Sequence, residues 1–350
     1  MRPNASFSHV SAGVLLLGVT ALADGPASAQ QRYELTGTES VIYNIAGRVS
    51  IERGGGENVE VLVTPGGADA ARLRIASGPI DGRSTLRVIY PDDRIAYSPD
   101  GWSGNTTLRV RSDGTFGDGG ERVRVGRSGG LEAHADLRIR VPAGRRVAVL
   151  LGVGDVRATN VEGDLLIDVA AAPVVVDGFR GALLIDTGSG SVDVSDAAGE
   201  IAIDTGSGSV DVLNLVGPRL RIDTGSGGVD GSDIRVGRLE VDTGSGGIEL
   251  LQVSTPWLEL DTGSGGVEID LLSDVEHAVI DTGSGSVRVR VPADIGAELI
   301  VDTGAGGIDV DVPVDVTERD RNELRGTLGD GNGRIEIDTG SGSVRLEAGG

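Results

Sequence analysis

One short string, Asp-Thr-Gly-[Ser/Ala]-Gly-[Ser/Gly]-[Val/Ile], occurs eight times in this 350-residue chain. The copies begin at Asp186, Asp204, Asp223, Asp242, Asp261, Asp281, Asp302 and Asp338, in steps of 18, 19, 19, 19, 20, 21 and 36 residues. A unit of roughly 20 residues cannot bury an apolar face by itself. It must stack on its neighbours, and a fixed period of this kind marks a solenoid. Two degenerate copies extend the series backwards in steps of 18, through Asp168 and Leu150.

The side-chain pattern gives a cross-section. With each Asp as position zero, position −1 is a branched apolar residue in all eight copies: Ile185, Ile203, Ile222, Val241, Leu260, Ile280, Val301 and Ile337. Position +6 is Val or Ile, from Val192 to Val344. Position +8 is apolar except at Gly231. Position +11 is Ala197, Leu215, Ile234, Val253 and Leu272. Strand side chains alternate with period two. The odd spacings from −1 to +6 and from +8 to +11 therefore each require a corner. The first falls at Gly-Ser-Gly and the second near Asp196, Asn214 and Asp233. Glycine at +2 and +4 serves either a positive φ or close stacking of coils. Length drift is absorbed between +11 and the next −3.

These constraints predict an all-β parallel β-helix, taken as right-handed, with about ten coils and a length of roughly 48 Å at ~4.8 Å per coil. Residues 30–146 alternate apolar and polar without a strict repeat and read as an irregular β-rich N-terminal part, with 92–130 as a long loop or hairpin excursion. Regular repeats occupy 147–315. The 36-residue step has a charged middle, Thr317 to Glu323, and a turn signal, Asp330-Gly-Asn-Gly333. Residues 316–350 thus read as a cap over the open end, followed by the last coil.

Residues 1–29 have the pattern of a secretory signal: Arg2, an apolar run from Val10 to Ala23, and Ala27-Ser28-Ala29 before Gln30. The expected location is the periplasm, the cell surface or the exterior. The chain has no Cys, so a disulfide framework and a lipidated Cys are excluded. Residues 151–350 hold 37 acids and 13 Arg, while the first 150 hold 16 acids and 18 Arg; Lys is absent. An acidic surface argues against nucleic acid as a partner. Aromatic residues make up only 3% of the chain, and only His134 and His277 follow the signal. Clefts with aromatic walls and His-based acid–base sites are correspondingly disfavoured.

The chain resembles the bacterial putative-adhesin β-strand-repeat family, whose function is unknown. The resemblance is carried by Ile42-Tyr-Asn-Ile-Ala-Gly-Arg-Val49, Arg138-Ile-Arg-Val-Pro-Ala-Gly-Arg145, Leu151-Gly-Val-Gly-Asp-Val156, the DTGSGSV copies and the closing stretch from Leu328. It implies a fold and an adhesin-like role, and no catalytic residue.

Several motifs invite chemistry. Hydrophobic-Asp-Thr-Gly-Ser is the active-site string of aspartic proteases, which bring two such loops together around one shared proton. Eight copies at one per coil form a column instead. That Asp column, with a second acidic row at +7, is also a calcium candidate through Asp186, Asp204, Asp223, Asp242, Asp261, Asp281, Asp302 and Asp338. The reading preferred here is that each Asp pins its corner by accepting the following amides. The Thr column is read as an internal hydroxyl ladder rather than an ice-binding array. Recurrent Gly-x-Gly opens no helix, so phosphate binding is not inferred. His134, His277, Trp102 and Trp257 are read as ordinary surface, core or corner residues.

The expected function is therefore non-enzymatic: an adhesin-like structural or binding module of the cell envelope, needing no cofactor. Its partner would be an envelope or surface component, protein or glycan. The alternatives are a calcium-responsive assembly protein and a polysaccharide-acting β-helix enzyme.

Overall fold

A computed structural model describes residues 30–99 and 104–349. The described residues are all-β apart from a short 3-10 turn at Ala70–Arg72. The signal segment and Trp102 lie outside the described residues.

Parallel pairing builds the solenoid. Glu39–Arg53 pairs with the first part of Arg145–Ala171, whose later part pairs with Val174–Thr187. Val192–Thr205, Val210–Thr224 and Val229–Thr243 follow, each parallel to the one before. The register joins equivalent positions: Tyr43 with Leu150, Asp168 with Asp186, Asp186 with Asp204, and Asp204 with Asp223. Later repeats split each coil into two strands. One crosses the Asp face (positions −4 to +1), and the other crosses what we call the groove face (+6 to +9).

The inward rows are the ones the alternation selects. Ile185, Ile203, Ile222, Val241, Leu260, Ile280, Val301 and Ile337 are buried, as are Val192, Val210, Val229 and Ile248 at +6. Removing each such side chain from water stabilises the fold by about 1.5–3 kcal/mol. Position +11 holds in four of the five coils. In the Asp261 coil Leu271, not Leu272, lies opposite Val253, and Leu272 is exposed. This coil omits the corner residue, so its apolar position moves back by one.

The two kinds of corner differ in mechanism. At +10 the backbone turns through the left-handed region, with φ of 53° at Asn160, 52° at Asp196, 55° at Asn214, 57° at Asp233 and 57° at Gln252. Asn and Asp tolerate this conformation better than other non-glycine residues. The Gly-Ser-Gly corner does not depend on positive φ; of its glycines only Gly190 has one. Its requirement is proximity. A Cβ on Gly208 would lie 1.7 Å from the Gly190 carbonyl oxygen, and one on Gly246 would lie 1.8 Å from that of Gly227. The change of step from 18 to 19 residues falls opposite Gly199, between Ala198 and Glu200, within the window where insertions were expected.

Two features depart from the sequence reading. Residues 92–130 form more than the expected loop or hairpin: the antiparallel pair Thr106–Val110 and Glu121–Gly126 is joined by Arg94–Ala96 into a small three-stranded sheet. It is tied to the solenoid by the bridge from Ile95 to Leu131. The last repeat in sequence is also not the last in space. Gly333–Thr339 pairs with His277–Thr282 on one side and with Ala297–Thr303 on the other. The final coil is thus inserted between the Asp281 and Asp302 coils. Glu323–Leu328 then lies antiparallel on Ala297–Thr303, and Asp315–Arg319 lies antiparallel on Glu323–Leu328. The charged excursion forms this two-stranded edge, and the hairpin turn before Gly333 returns the chain into the stack.

At the opposite end, Tyr90 and Asn44 close the core. The Tyr90 hydroxyl donates to Asn44 Oδ1 at 2.9 Å, and Asn44 Nδ2 donates to the Ala135 carbonyl at 2.7 Å. Burial holds the Tyr90 phenol far above its ordinary value. It remains a neutral donor.

Candidate functional site

Functional capacity here is a matter of columns. Each surface position of a coil recurs at the strand spacing of ~4.8 Å, so one side-chain choice becomes a row along the axis.

The Asp row is continuous and in register, in the spatial order Asp168, Asp186, Asp204, Asp223, Asp242, Asp261, Asp281, Asp338 and Asp302. All eight sequence candidates lie in it, and all face water, Asp223 less fully than the rest. Burial, and then the neighbouring carboxylates, push Asp168, Asp204, Asp261 and Asp338 above the ordinary carboxylate range. Arg221 approaches Asp223 at 3.3 Å. Among the described residues, no three His, Asp or Glu side chains converge to hold a metal ion. The protease-like strings lie side by side along one face, each one strand from the next.

The row does not pin the corner, as the sequence reading had it. Thr does. Thr243 Oγ1 accepts from the Gly246 amide at 3.0 Å and donates to the Gly227 carbonyl of the adjacent coil at 3.0 Å. The same pair of bonds recurs at Thr224, Thr262, Thr282 and Thr339. These hydroxyls are buried, so the Thr column is internal. In the alternating strand, Asp at zero points outward and Thr at +1 points inward. Only the latter reaches the corner amide.

A second row runs four residues before each Asp. Glu200, Arg219, Arg238, Trp257 and His277 are consecutive partners in it. The Arg238 guanidinium carbon lies 4.8 Å from the Trp257 ring centre, and the His277 ring lies 4.4 Å away on the adjoining coil. Both ring faces of Trp257 are therefore occupied. Arg238 contacts Glu240 at 2.5 Å and Glu259 at 3.4 Å, and Arg219 also contacts Glu240. This is a compensated stack rather than an open cationic site. His134 sits against Tyr97 at 5.1 Å, far from this stack in sequence.

The groove face carries the third row: Asp193, Asp211, Asp230, Glu249 and Glu268, then Arg288, Arg345 and Asp309. Arg345 meets Asp309 at 2.8 Å. An open trough of about 910 Å³ is lined by this row from Asp230 to Asp309 together with Gly228, Gly247 and Gly266. The repeat string already contains Gly or Ser at this position. What sequence reasoning missed was that the small residues line one continuous trough.

The Toastrack DUF4097 family matches residues 134–347. The chain belongs to that family. The Toastrack match takes in the whole run of DTG strings and begins at the strand His134–Val141. A solved structure, that of a putative cell adhesion protein from Clostridium sporogenes ATCC 15579, is 11% identical, covering 92% of this chain and 99% of that one at a TM-score of 0.22. No curated protein matches the sequence. No helix among the described residues is long and apolar enough to cross a membrane.

Proposed function

We propose that this Toastrack protein is an exported, non-enzymatic scaffold of the bacterial cell envelope. It would act as an adhesin-like module that binds a surface component, protein or glycan, through repeated rows of side chains. The solenoid is taken as right-handed, with about ten coils. The observation that carries the proposal is the in-register row of exposed carboxylates from Asp168 to Asp302, one per coil. Such a row offers a partner many equivalent weak contacts. Affinity then grows with the number engaged.

Immobilised protein should retain a component of a detergent-solubilised envelope fraction. Retention should fall when Asp204, Asp223, Asp242 and Asp261 are together changed to Asn. A folded Asn variant with undiminished capture would remove the row from the reading. Fractionation tests export, because recovery of the full-length chain from the cytosol would contradict it. Turnover of any polysaccharide or protein substrate, including turnover at acid pH blocked by a pepsin-type inhibitor, would contradict the non-enzymatic reading.

One observation favours a second reading, a calcium-responsive surface protein. Carboxyls held above their ordinary range by burial and then by one another would have the repulsive part relieved by a bound cation. A melting temperature identical in calcium and in chelator would rule this out.

A further inference from the structure

The groove face carries a second recess, on the side of its charged row away from Gly228 and Gly247. Inward Val194, Val212 and Leu250 at +8 are buried, so the residues at +7 and +9 point outward. Asp193, Asp211, Asp230 and Glu249 follow one another at +7, and Ser195, Leu213, Ser232 and Leu251 do so at +9. The two leucines stand on alternate coils, roughly 9.6 Å apart at ~4.8 Å per strand. Ser232 lies between them. With the neighbouring carboxylates they line an open groove of about 550 Å³.

The coil does not need leucine here. Leu213 is 51% exposed and Leu251 is half-buried, while Ser fills the same position on the strands between and beside them. A single exposed leucine is ordinary on a protein surface. Two that wall one groove offer a strip along which the aliphatic stem of a ligand can leave water.

The carboxylates beside this strip are uncompensated. Further along the row, Arg290 meets Glu268 at 2.8 Å and Arg345 meets Asp309 at 2.8 Å. Among the described residues, no Arg or His makes such a pair with Asp193, Asp211, Asp230 or Glu249. Burial, and then Asp193 and Asp230, push Asp211 above the ordinary carboxylate range. The groove thus joins an apolar wall to a run of negative charge with one carboxylate per strand. A lysine side chain has the matching halves, a flexible four-carbon stem and a compact ammonium. This chain contains no Lys, so a second copy of it could supply only Arg.

We propose that the groove between Leu213 and Leu251 docks a lysine-bearing segment of another protein. Lysine stems lie along the two leucines, and their ammonium groups reach Asp211, Asp230 and Glu249. The same carboxylates repel nucleic acid and anionic lipid. The groove lies on a different face from the Asp row, so each can bind without the other.

Fluorescence anisotropy of labelled hexalysine, titrated with the purified protein at about 0.15 M salt, tests this. Changing Leu213→Ser and Leu251→Ser together keeps every charge and installs the residue already present at Ser195 and Ser232. This pair should weaken binding about tenfold, as expected from losing part of the apolar contact of two leucines. Asp211→Asn, Asp230→Asn and Glu249→Gln together should abolish binding. Asp204→Asn, Asp223→Asn and Asp242→Asn remove as many charges from the Asp face and should leave most of it. Should the groove carboxylate variant fail to fold, the leucine pair decides alone. Binding unchanged in the leucine pair overturns the proposal, because attraction to net charge would then suffice. Equal loss in the groove and Asp-face variants overturns it too, as does wild-type protein that does not bind hexalysine. Self-association in sedimentation velocity that disappears with the leucine pair would place a second copy in the groove, and it also overturns the proposal.

Discussion

Asp281 pairs with Asp338, and Asp302, the next DTG aspartate in the chain, lies on the far side of Asp338. The C-terminal segment is therefore an internal layer of the solenoid. The strands of the Asp302 coil pair with the rest of the solenoid through this layer.

Stability should reflect this placement. Ile337 is buried in the inserted strand, whereas Ile308 on the outermost coil is half-buried. Ile337→Ala is expected to cost about 2–5 kcal/mol in urea unfolding, as deep core truncations do. Ile308→Ala should cost about 1 kcal/mol. Equal costs would contradict the inserted order.

The corner chemistry separates neighbouring residues of one motif. Thr243→Val removes a buried hydroxyl that makes two hydrogen bonds. It leaves the Gly246 amide and the Gly227 carbonyl without their partner, at a cost of about 1–3 kcal/mol. Asp242→Asn, one residue earlier, removes only an exposed charge with like neighbours and should be neutral or slightly stabilising. Denaturant midpoints of the two variants decide whether Thr or Asp holds the turn.

The glycines of the corner should not be interchangeable. A Cβ on Gly246 meets a carbonyl oxygen at 1.8 Å, while one on Gly247 finds its nearest neighbour at 3.5 Å. Gly246→Ala is expected to lose more than about 4 kcal/mol or to give no folded protein. Gly247→Ala should change stability by less than about 1 kcal/mol. The soluble yield and melting temperature of the pair provide the check.

Acidification should first strengthen the fold. Asp168, Asp204, Asp261 and Asp338 have raised values in the folded protein, so the folded state binds their protons more tightly than the unfolded chain does. Stability from this source rises as the pH falls through the raised values towards ~4. Glu240 acts the other way. Burial raises it, but hydrogen bonds from Arg219 and Arg238 outweigh burial and leave it lowered. Its contribution is present at neutral pH and is lost as the pH falls through that lowered value. The expected melting temperature passes through a rise as the pH is lowered from neutral towards ~4, with a smaller rise when the four Asp are changed to Asn. A melting temperature that only falls over this range would contradict the raised carboxyls of the row.

Much of the cross-section was legible in the sequence because parity along a strand is local. Ile185, Val192 and Ala197 face inward in a strand of period two, and the parity breaks locate both corners. The identity of the corner-holding group was less legible. Asp186 and Thr187 are adjacent polar residues, each able to bond an amide, and only the direction of the strand shows that Thr is inside. Leu272 misled because one missing corner residue shifts the apolar position, and Leu271 is equally apolar.

The sequence by itself determined the coil, since a period near 20 with glycine where backbones touch admits little besides stacking. Only the tertiary structure decided the order of the last coils, because Asp302 and Asp338 carry the same local string and either could pair with Asp281. Only the tertiary structure, too, brought Arg238, Trp257 and His277 into one stack. Rows along the axis form between residues roughly 20 apart, and their chemistry depends on registers that no single coil contains.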